Sequence, residues 1–389
     1  MRITFAGDIC LNYKADCQSE NEIRENFCDA LSYMAQGDFS VFNMENTYGC
    51  KEDYEPIVKI GPNLLADEEF IRYAKVLRPT VANFANNHTG DFGEEPVKKT
   101  LEFFRREGFL TIGAGADIEE AYRPAILKKD GVSVAVIGVC ENEFGIADKS
   151  KAGSAGFRLD LLSNEIMRAK AEGHKVVLFL HAGNEHNPFP SPEKVAMYRH
   201  LIDFGVTAVI AMHTHCPQPY EEYHGGVIVY SMGNFFFPIE TRANLGAEIR
   251  SWNYGYMSAL EITENSNRVE IAPYTFTNNA QTFLQGEELA AFHRYLRFTS
   301  EPLQDRKLLQ EYFDAWCMIK GEPIYIRRAQ YTEDMLNGGA AAIVKLKSIF
   351  SCEAHNELVK NTTKIIYEGR VEQARKYVPL IHKLQNMEC

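Results

Sequence analysis

The sequence lacks the long apolar stretches of a membrane protein. None of its 389 residues lies in an apolar run of about 18 residues, the length that a transmembrane helix needs. Met1-Arg2 lead straight into a strand-like run, with no stretch that resembles a secretory signal peptide. We therefore expect a protein with no membrane span.

Cysteine pairs at metal-finger spacing are also absent. The nine cysteines are an odd number and are scattered along the chain. This usage is typical of reduced thiols. It predicts a cytoplasmic location.

Basic residues are fewer than acidic ones, and the formal net charge is −12. An acidic chain is a poor candidate for a general nucleic-acid or anionic-membrane surface. The deficit does not exclude a small-molecule or polyanionic polymer substrate, because a bound dication reverses the local field. Oligomeric state is left open.

Internal repeats and low-complexity tracts are absent too, and the chain divides into two unlike parts. Residues 1–280 alternate strand-like runs with amphipathic helices, which predicts a layered α/β domain. Residues 281–389 show helical periodicity, which predicts a helical C-terminal region that covers the site or forms a dimer. The predicted helices there are 285–298, 302–319, 331–349 and 366–386.

Five apolar runs each end on a residue type that binds metals. In open α/β sheets, sites form just beyond the carboxyl ends of the strands. If these runs are strands, their ends bring polar side chains to one place. The ends carry Asp8, Glu45, Asn86-Asn87-His88, His181 and His213-Thr214-His215.

The candidate metal ligands combine carboxylate oxygen, amide oxygen and imidazole nitrogen. They are Asp8, Glu45, Asn87, His181, His213 and His215. This mixture suits Mn, Fe or Zn better than Ca or Mg, which prefer shells of oxygen alone. Six ligands are more than one tetrahedral zinc needs. They predict one or two divalent ions, two of which would share a carboxylate and clamp the oxygens of phosphoryl transfer.

The motifs occur in an order that is similar to that of a known family. They are Phe5-Ala6-Gly7-Asp8, Asn43-Met44-Glu45, Asn86-Asn87-His88 with Asp91 and Gly93, His181-Ala182-Gly183-Asn184-Glu185, His213-Thr214-His215, and Tyr230-Ser231-Met232-Gly233-Asn234-Phe235. Over roughly residues 1–250 the chain resembles the CapA/PgsA capsule-synthesis family, which is itself similar to calcineurin-like metallophosphoesterases. The resemblance implies a four-layer α/β fold, in which two packed, mixed β-sheets are flanked by helices.

The resemblance also implies a role for each candidate ligand. Glu45 would stand where metallophosphoesterases place a carboxylate that bridges two metals. Asp8 and His215 would bind the first metal, and Asn87, His181 and His213 would bind the second.

His88 and Asp91 are the implied catalytic pair. His88 would face the substrate and protonate a leaving group, which suits an imidazole with an ordinary pKa of about 6.5. Asp91 would orient His88 or cap the following helix.

Two positions depart from the metallophosphoesterase pattern. Those enzymes usually have a histidine two residues after the first aspartate, where this chain has Cys10. Cys10 is either a thiolate ligand or a small buried apolar residue, and the second alternative weakens the first metal site. Glu45 is one methylene longer than the usual aspartate, which would change the spacing between metals.

Three further residues are candidates for substrate binding. Glu185 would bind a substrate amine, or pair with His186, or be a plain loop charge. Ser231 and Asn234 follow another strand end. They would either present polar groups to an anion or form a tight turn.

Two functions are consistent with these residues. The first is a metal-dependent hydrolase in which a metal-activated water attacks a phosphoester or an amide of a polyglutamate-like, capsule-related substrate. The alternative is a non-catalytic binding or assembly subunit in the handling of capsule or poly-γ-glutamate. The missing histidine at Cys10 favours the alternative.

Overall fold

The computed structural model describes residues 1–10, 18–237, 249–277 and 280–388. The strands in chain order are β1 (Arg2–Ile9), β2 (Phe39–Met44), β3 (Thr47–Tyr48), β4 (Leu65–Ala66), β5 (Val81–Asn83), β6 (Leu110–Ile112), β7 (Ala114–Gly115), β8 (Ala125–Lys129), β9 (Val132–Cys140), β10 (Gly153–Ser154), β11 (Lys175–His181), β12 (Ala208–Met212), β13 (Tyr220–Tyr223), β14 (Gly226–Val229), β15 (Asn234–Phe236), β16 (Tyr254–Ile262), β17 (Asn267–Thr277) and β18 (Ala280–Phe283).

The helices lie between these strands and after them. They are α1 (Glu20–Asn26), α2 (Cys28–Met34), α3 (Glu68–Leu77), α4 (Glu94–Arg106), α5 (Ile118–Ala121), α6 (Leu159–Ala171), α7 (Pro192–Asp203), α8 (Gly286–Ser300), α9 (Arg306–Trp316), α10 (Ile326–Arg328), α11 (Asp334–Asn337), α12 (Gly339–Ser351), α13 (Glu353–Tyr367), α14 (Val371–Ala374) and α15 (Val378–Gln385), with a π-helical segment at Cys317–Tyr325. Every helix within the described ranges is too short or too polar to span a bilayer.

Two mixed sheets form the centre of the molecule. The first has the strand order β18-β17-β16-β1-β2-β5-β6, with β15 also paired to β1. The second has the order β13-β14-β12-β11-β9-β8. In the first sheet β1, β2, β5 and β6 are parallel. In the second, β9, β11, β12 and β14 are parallel. Antiparallel strands extend both sheets outwards.

The sheets pack face to face because their strands alternate apolar side chains between two faces. On β1, Ile3 and Phe5 join one buried cluster with strands of the second sheet, and the Phe5 and Phe179 ring centroids are 5.7 Å apart. Ala6 and Ile9 join a second cluster with the helices outside the first sheet. Helices α6 and α7 cover the outer face of the second sheet. The predicted four-layer α/β fold is thus confirmed.

Local capping residues set the starts of two helices. Ser19 and Glu22 form a capping box at α1, in which each satisfies a backbone donor of the first turn. Ser191 caps α7, and Pro192 occupies its first turn, where a missing N–H costs little.

The C-terminal region is helical, although two of its predicted helices are divided: α11 and α12 take the place of 331–349, and α14 and α15 take the place of 366–386. Gly338 separates α11 from α12. Gly339, the first residue of α12, has a φ of 69°, which glycine adopts without steric cost. Helix α13 was not predicted by the sequence pattern, because Asn361-Thr362-Thr363 are weak helix formers. Its buried Leu358 and Ile365 show that packing decides its structure. The division into 1–280 and 281–389 stays a prediction.

Candidate metal centre

The carboxyl ends of the parallel strands of both sheets meet at one edge of the sandwich. Asp8 lies on β1, Glu45 directly follows β2, and His181 ends β11. His213 and His215 follow β12. We call these five residues the ligand cluster. All five are buried. The fold therefore brings these predicted strand-end residues together at one edge of the sandwich.

A bulge in β1 directs the side chain of Asp8 towards the other residues of the ligand cluster. The pairing register of β1 with β2 shifts between Ala6 and Asp8, so Gly7 is the extra residue, and such bulges re-aim neighbouring side chains. A Cβ on Gly7 would lie 2.1 Å from the carbonyl oxygen of Gly233. Glycine is therefore the residue that permits this approach. The backbone N–H of His213 donates to Asp8 Oδ2 over 3.0 Å.

Glu45, His181 and His213 form a group whose potential ligand atoms lie within 4.8 Å of one another. Glu45 Oε1 lies 3.5 Å from His181 Nε2, and the two imidazole ring centroids are 4.4 Å apart. Both carboxylate oxygens of Glu45 and Nδ1 of His213 are buried without hydrogen-bond partners. Buried polar atoms are normally satisfied. A divalent cation would satisfy all three, so these residues fit a metal.

The electrostatics of the cluster support the same conclusion. Burial, and after it the charge of Asp8, raises the pKa of the Glu45 carboxyl well above its ordinary value. Burial, and after it the neighbouring His181, lowers the pKa of His213 well below its ordinary value. A cation would favour the deprotonated form of both groups. Carboxylate and neutral imidazole are the forms that bind metals.

Two other groups overlap with the first. Asp8, Glu45 and His215 form one, and Glu185, His213 and His215 form the other. Glu45 thus belongs to two groups, as a bridging carboxylate would. Asn87 lies beside them, with Oδ1 3.1 Å from His181 Nε2 and Nδ2 donating to Glu143 over 2.9 Å. The assignment of these ligands to two metals stays a prediction.

The backbone at the two histidines after β12 is in the left-handed region. His213 has a φ of 94° and His215 a φ of 54°. Non-glycine residues rarely adopt such backbone conformations, and those that do are often found at functional sites. Because β12 ends at Met212, these bends, and not strand alternation, orient the two rings. The side chain of Asn234 holds His215, with 2.7 Å between Oδ1 and Nδ1.

A chain of buried amides lies behind the cluster. Asn83 Nδ2 donates to Asn43 Oδ1 over 2.8 Å, and Asn43 Nδ2 donates to Asp8 Oδ1 over 2.7 Å. Asp8 Oδ1 is also 3.4 Å from His181 Nδ1. A proton on that nitrogen leaves Nε2 available as a ligand atom. The motif Asn43-Met44-Glu45 pointed to this position, but no role for Asn43 or Asn83 was predicted.

His88 and Asp91 form the predicted contact, with 2.7 Å between Nδ1 and Oδ2. Lys59, which the sequence analysis missed, places Nζ 2.6 Å from Asp91 Oδ1 and 3.2 Å from His88 Nδ1. Burial, and after it the Lys59 charge, lowers the pKa of His88. Asp91 orients His88, whereas Gly93 occupies the N-cap of α4.

Cys10 packs in the hydrophobic cluster between the first sheet and its helices. It belongs to none of the groups of potential ligands found in the described part of the chain. Its environment matches the buried apolar alternative.

The three candidate substrate-binding residues lie in different surroundings. Glu185 is exposed and lines the cavity over the cluster. Ser231 Oγ accepts from the Gly233 N–H over 3.2 Å, and Asn234 holds His215. Neither Ser231 nor Asn234 is among the described residues that line the cavity. Their binding role stays a prediction.

The cavity has a volume of about 290 Å³. Glu45, His88, His213 and His215 line its base. The C-terminal region lines its other side. Six of the lining residues from that region form what we call the roof: Trp316, Lys320, Ile324, Tyr325, Arg328 and His355. Covering the site was one of the two alternatives that the sequence left open for the C-terminal region, but helical periodicity did not single out these six residues.

Two packed mixed sheets with carboxylates and histidines at their shared edge define a layered α/β protein with residues that fit a divalent metal. Residues 2–238 match the family described as bacterial capsule synthesis protein PGA_cap. The chain belongs to this family, as the CapA/PgsA resemblance predicted.

Three curated relatives named for capsule, PGA or polyglutamine synthesis are similar to part of the chain. The chain is 31% identical over 213 residues to the capsule biosynthesis protein CapA of Bacillus anthracis, covering 53% of this chain and 52% of that protein. It is 27% identical over 238 residues to the PGA biosynthesis protein CapA of Bacillus subtilis (strain 168), covering 60% and 62%. A probable polyglutamine synthesis accessory protein of Mycobacterium tuberculosis (strain CDC 1551 / Oshkosh) is 28% identical over 171 residues, covering 41% and 45%. The chain thus spans about half the length of the relatives that it matches.

Proposed function

We propose that this protein is a metal-dependent hydrolase. The observation that carries the proposal is a set of buried atoms in the cluster that have no hydrogen-bond partners, namely both oxygens of Glu45 and Nδ1 of His213. A buried carboxylate without a partner is costly. It is retained where it binds a cation or takes part in chemistry.

Glu45, His181 and His213 would hold the ion, with Asp8 and His215 available for a second. The mixed carboxylate and imidazole donors favour Mn, Fe or Zn. When bound, such an ion acts as a Lewis acid and lowers the pKa of a water molecule that it binds.

His88 and Asp91 are the residues that we propose for proton transfer. Asp91 accepts from His88 Nδ1, so the neutral His88 ring leaves Nε2 without a proton. Because the pKa of His88 is lowered, this ring is mostly neutral at pH 7 in the metal-free protein. His88 thus serves as general acid only after substrate binding raises its pKa, as the negative charge of an arriving substrate does.

The proposed bond is a phosphoester or an amide of a polyglutamate-like, capsule-related polymer. The relatives named for PGA biosynthesis and polyglutamine synthesis support the polymer. The phosphoester is supported by the two overlapping ligand groups that share Glu45, since paired metals suit phosphoryl transfer.

The test is turnover by protein whose metal content has been measured. Protein loaded with Mn, Fe or Zn would be assayed on bis(p-nitrophenyl) phosphate and on γ-linked oligoglutamate. We expect hydrolysis of one substrate, lost in His213→Ala and retained in His224→Ala. His224 is a matched control because it also has a positive φ but is exposed and pairs with Asp203. Full metal loading without hydrolysis of either substrate would contradict the proposal.

A non-catalytic binding or assembly subunit is the second candidate. The sequence favours it, because Cys10 stands where metallophosphoesterases usually have a histidine ligand. On this alternative, His88→Ala leaves cellular polymer production intact, whereas His213→Ala abolishes it. A hydrolase would lose function in both variants.

We also propose a cytoplasmic location. The support is that no disulfide joins these six cysteines, as expected of a reducing compartment: Cys28, Cys50, Cys140, Cys216, Cys317 and Cys352. Cell fractionation with an antibody against the chain tests this proposal, and recovery outside the cytoplasm would contradict it.

A further inference from the structure

The roof comes from a part of the chain that the family match does not reach. The match ends at residue 238, whereas the roof residues lie on α9, the π-helical segment, α10 and α13. They nevertheless line one cavity with the ligand cluster. Any recognition by the roof is therefore a property of the C-terminal region.

The π-helical segment shapes the roof. Pro323 lies inside it and has no backbone N–H to donate, which disfavours a regular α-helix there. Its Gly321 permits the close approach of α13, because a Cβ would lie 2.0 Å from Thr362 Oγ1. Helical segments of this kind are frequent at functional sites. This one carries Lys320 to the cavity.

Lys320 and Arg328 bring positive charge to the roof. Within the described residues, neither forms an ion pair with a carboxylate, unlike Lys59, whose Nζ is 2.6 Å from Asp91. Each instead lies over an aromatic ring. Lys320 Nζ is 5.9 Å from the Trp316 ring centroid, and the Arg328 guanidinium carbon is 5.2 Å from that of Tyr325. Such contacts hold a cation in place and leave its donors available.

Trp316 provides a second, independent sign of a ligand. Its side chain is 1% exposed and lines the cavity, and its Nε1 has no hydrogen-bond partner. A buried indole usually finds an acceptor for its N–H. An anionic oxygen in the cavity would supply one.

We propose that Trp316, Lys320 and Arg328 form an anion-binding subsite for a negatively charged group of the substrate, a carboxylate or a phosphate. This rests on the proposed function, in that the substrate's reacting bond lies at the ligand cluster. The cavity is near the lower limit of ligand pockets, about 300 Å³. It holds a short segment that bears one reacting bond and one further anionic group. The substrate class is therefore a molecule with at least two anionic groups, of which the roof binds the one that does not react.

Calorimetric binding to metal-loaded protein tests the subsite without needing turnover. The probes are γ-linked tetraglutamate and inorganic tripolyphosphate, each at low and high salt. We expect Lys320→Ala and Arg328→Ala each to weaken binding about tenfold, which corresponds to 1.4 kcal/mol. Lys320→Arg and Arg328→Lys should retain most of the affinity. Trp316→Phe, which keeps a ring but removes the N–H, should also weaken binding.

Arg327→Ala is the matched control, because Arg327 precedes Arg328 on α10 but is exposed and does not line the cavity. A loss confined to tetraglutamate assigns a carboxylate to the subsite, and a loss confined to tripolyphosphate assigns a phosphate. Three results would overturn the proposal: no salt-dependent binding of either probe to the unaltered protein, unchanged affinity in the Lys320→Ala/Arg328→Ala double variant, or an equal loss in Arg327→Ala. Failure of the proposed function would look different, namely as binding without turnover.

Discussion

Replacing Glu45 with glutamine keeps the size of the side chain and removes its charge from the ligand cluster. In the metal-free protein, burial first and Asp8 second raise the pKa of Glu45. The folded state then holds the proton more tightly than the unfolded state. The stability from this group is complete below the unfolded pKa of about 4.3, and it is lost as the pH rises towards the folded pKa. Metal-free Glu45→Gln should therefore lose less stability than the unaltered protein as the pH rises above about 4.3.

Bound metal should make the unaltered protein more stable than Glu45→Gln. A ligand at about 100 times its Kd stabilises a folded protein by about 2.7 kcal/mol. For 389 residues at about 2.1 cal/mol/K each, the unfolding entropy is about 0.8 kcal/mol/K, so Tm rises by about 3 °C. Glu45→Gln should show little of this rise, because an amide oxygen is a weaker ligand than a carboxylate.

Scanning calorimetry with and without Mn²⁺ measures both effects. Glu222→Gln is the control, because it makes the same change at an exposed position on β13. The reasoning is refuted if Glu45→Gln gains as much from Mn²⁺ as the unaltered protein. It is equally refuted if the metal-free proteins show the same dependence on pH.

Three further changes test the surroundings of the cluster. Gly7→Ala should cost roughly 1–3 kcal/mol by overpacking against Gly233, seen as a lower urea midpoint; an unchanged midpoint contradicts the tight contact. Asn43→Ala should weaken metal affinity about 10- to 100-fold, as loss of a supporting hydrogen bond does, measured by competition with a chelating dye; unchanged affinity means that Asn43 does not position Asp8. Lys59→Met should raise the pKa of His88, because the Lys59 charge lowers it, and NMR titration of the ring should show this; a fall would contradict the assignment.

The strand-end pattern predicted the fold and all five residues of the ligand cluster because both depend on local sequence. Apolar runs that end on Asp8, Glu45 or His181 indicate strands and their ligands together, and parallel pairing brings the ends to one edge. The positive φ values of His213 and His215 are set by the surrounding structure and leave no mark in periodicity.

Residues that reach the site through tertiary packing were not predictable in the same way. Lys59 lies in a loop between β3 and β4, and its contact with Asp91 depends on how that loop folds back. Trp316 and Lys320 belong to helices whose apolar spacing indicates only that they pack, and not against what. Long-range contacts of this kind are determined by the whole fold.

The most direct test of the account is the position and number of metal ions in crystals of Mn²⁺-loaded protein, found by anomalous scattering and checked by elemental analysis of the same sample. We expect an anomalous peak in contact with Glu45, His181 and His213, with at least one equivalent of metal per chain. If elemental analysis shows that the protein is fully loaded but the crystals show no anomalous peak at these three residues, the central claim is contradicted.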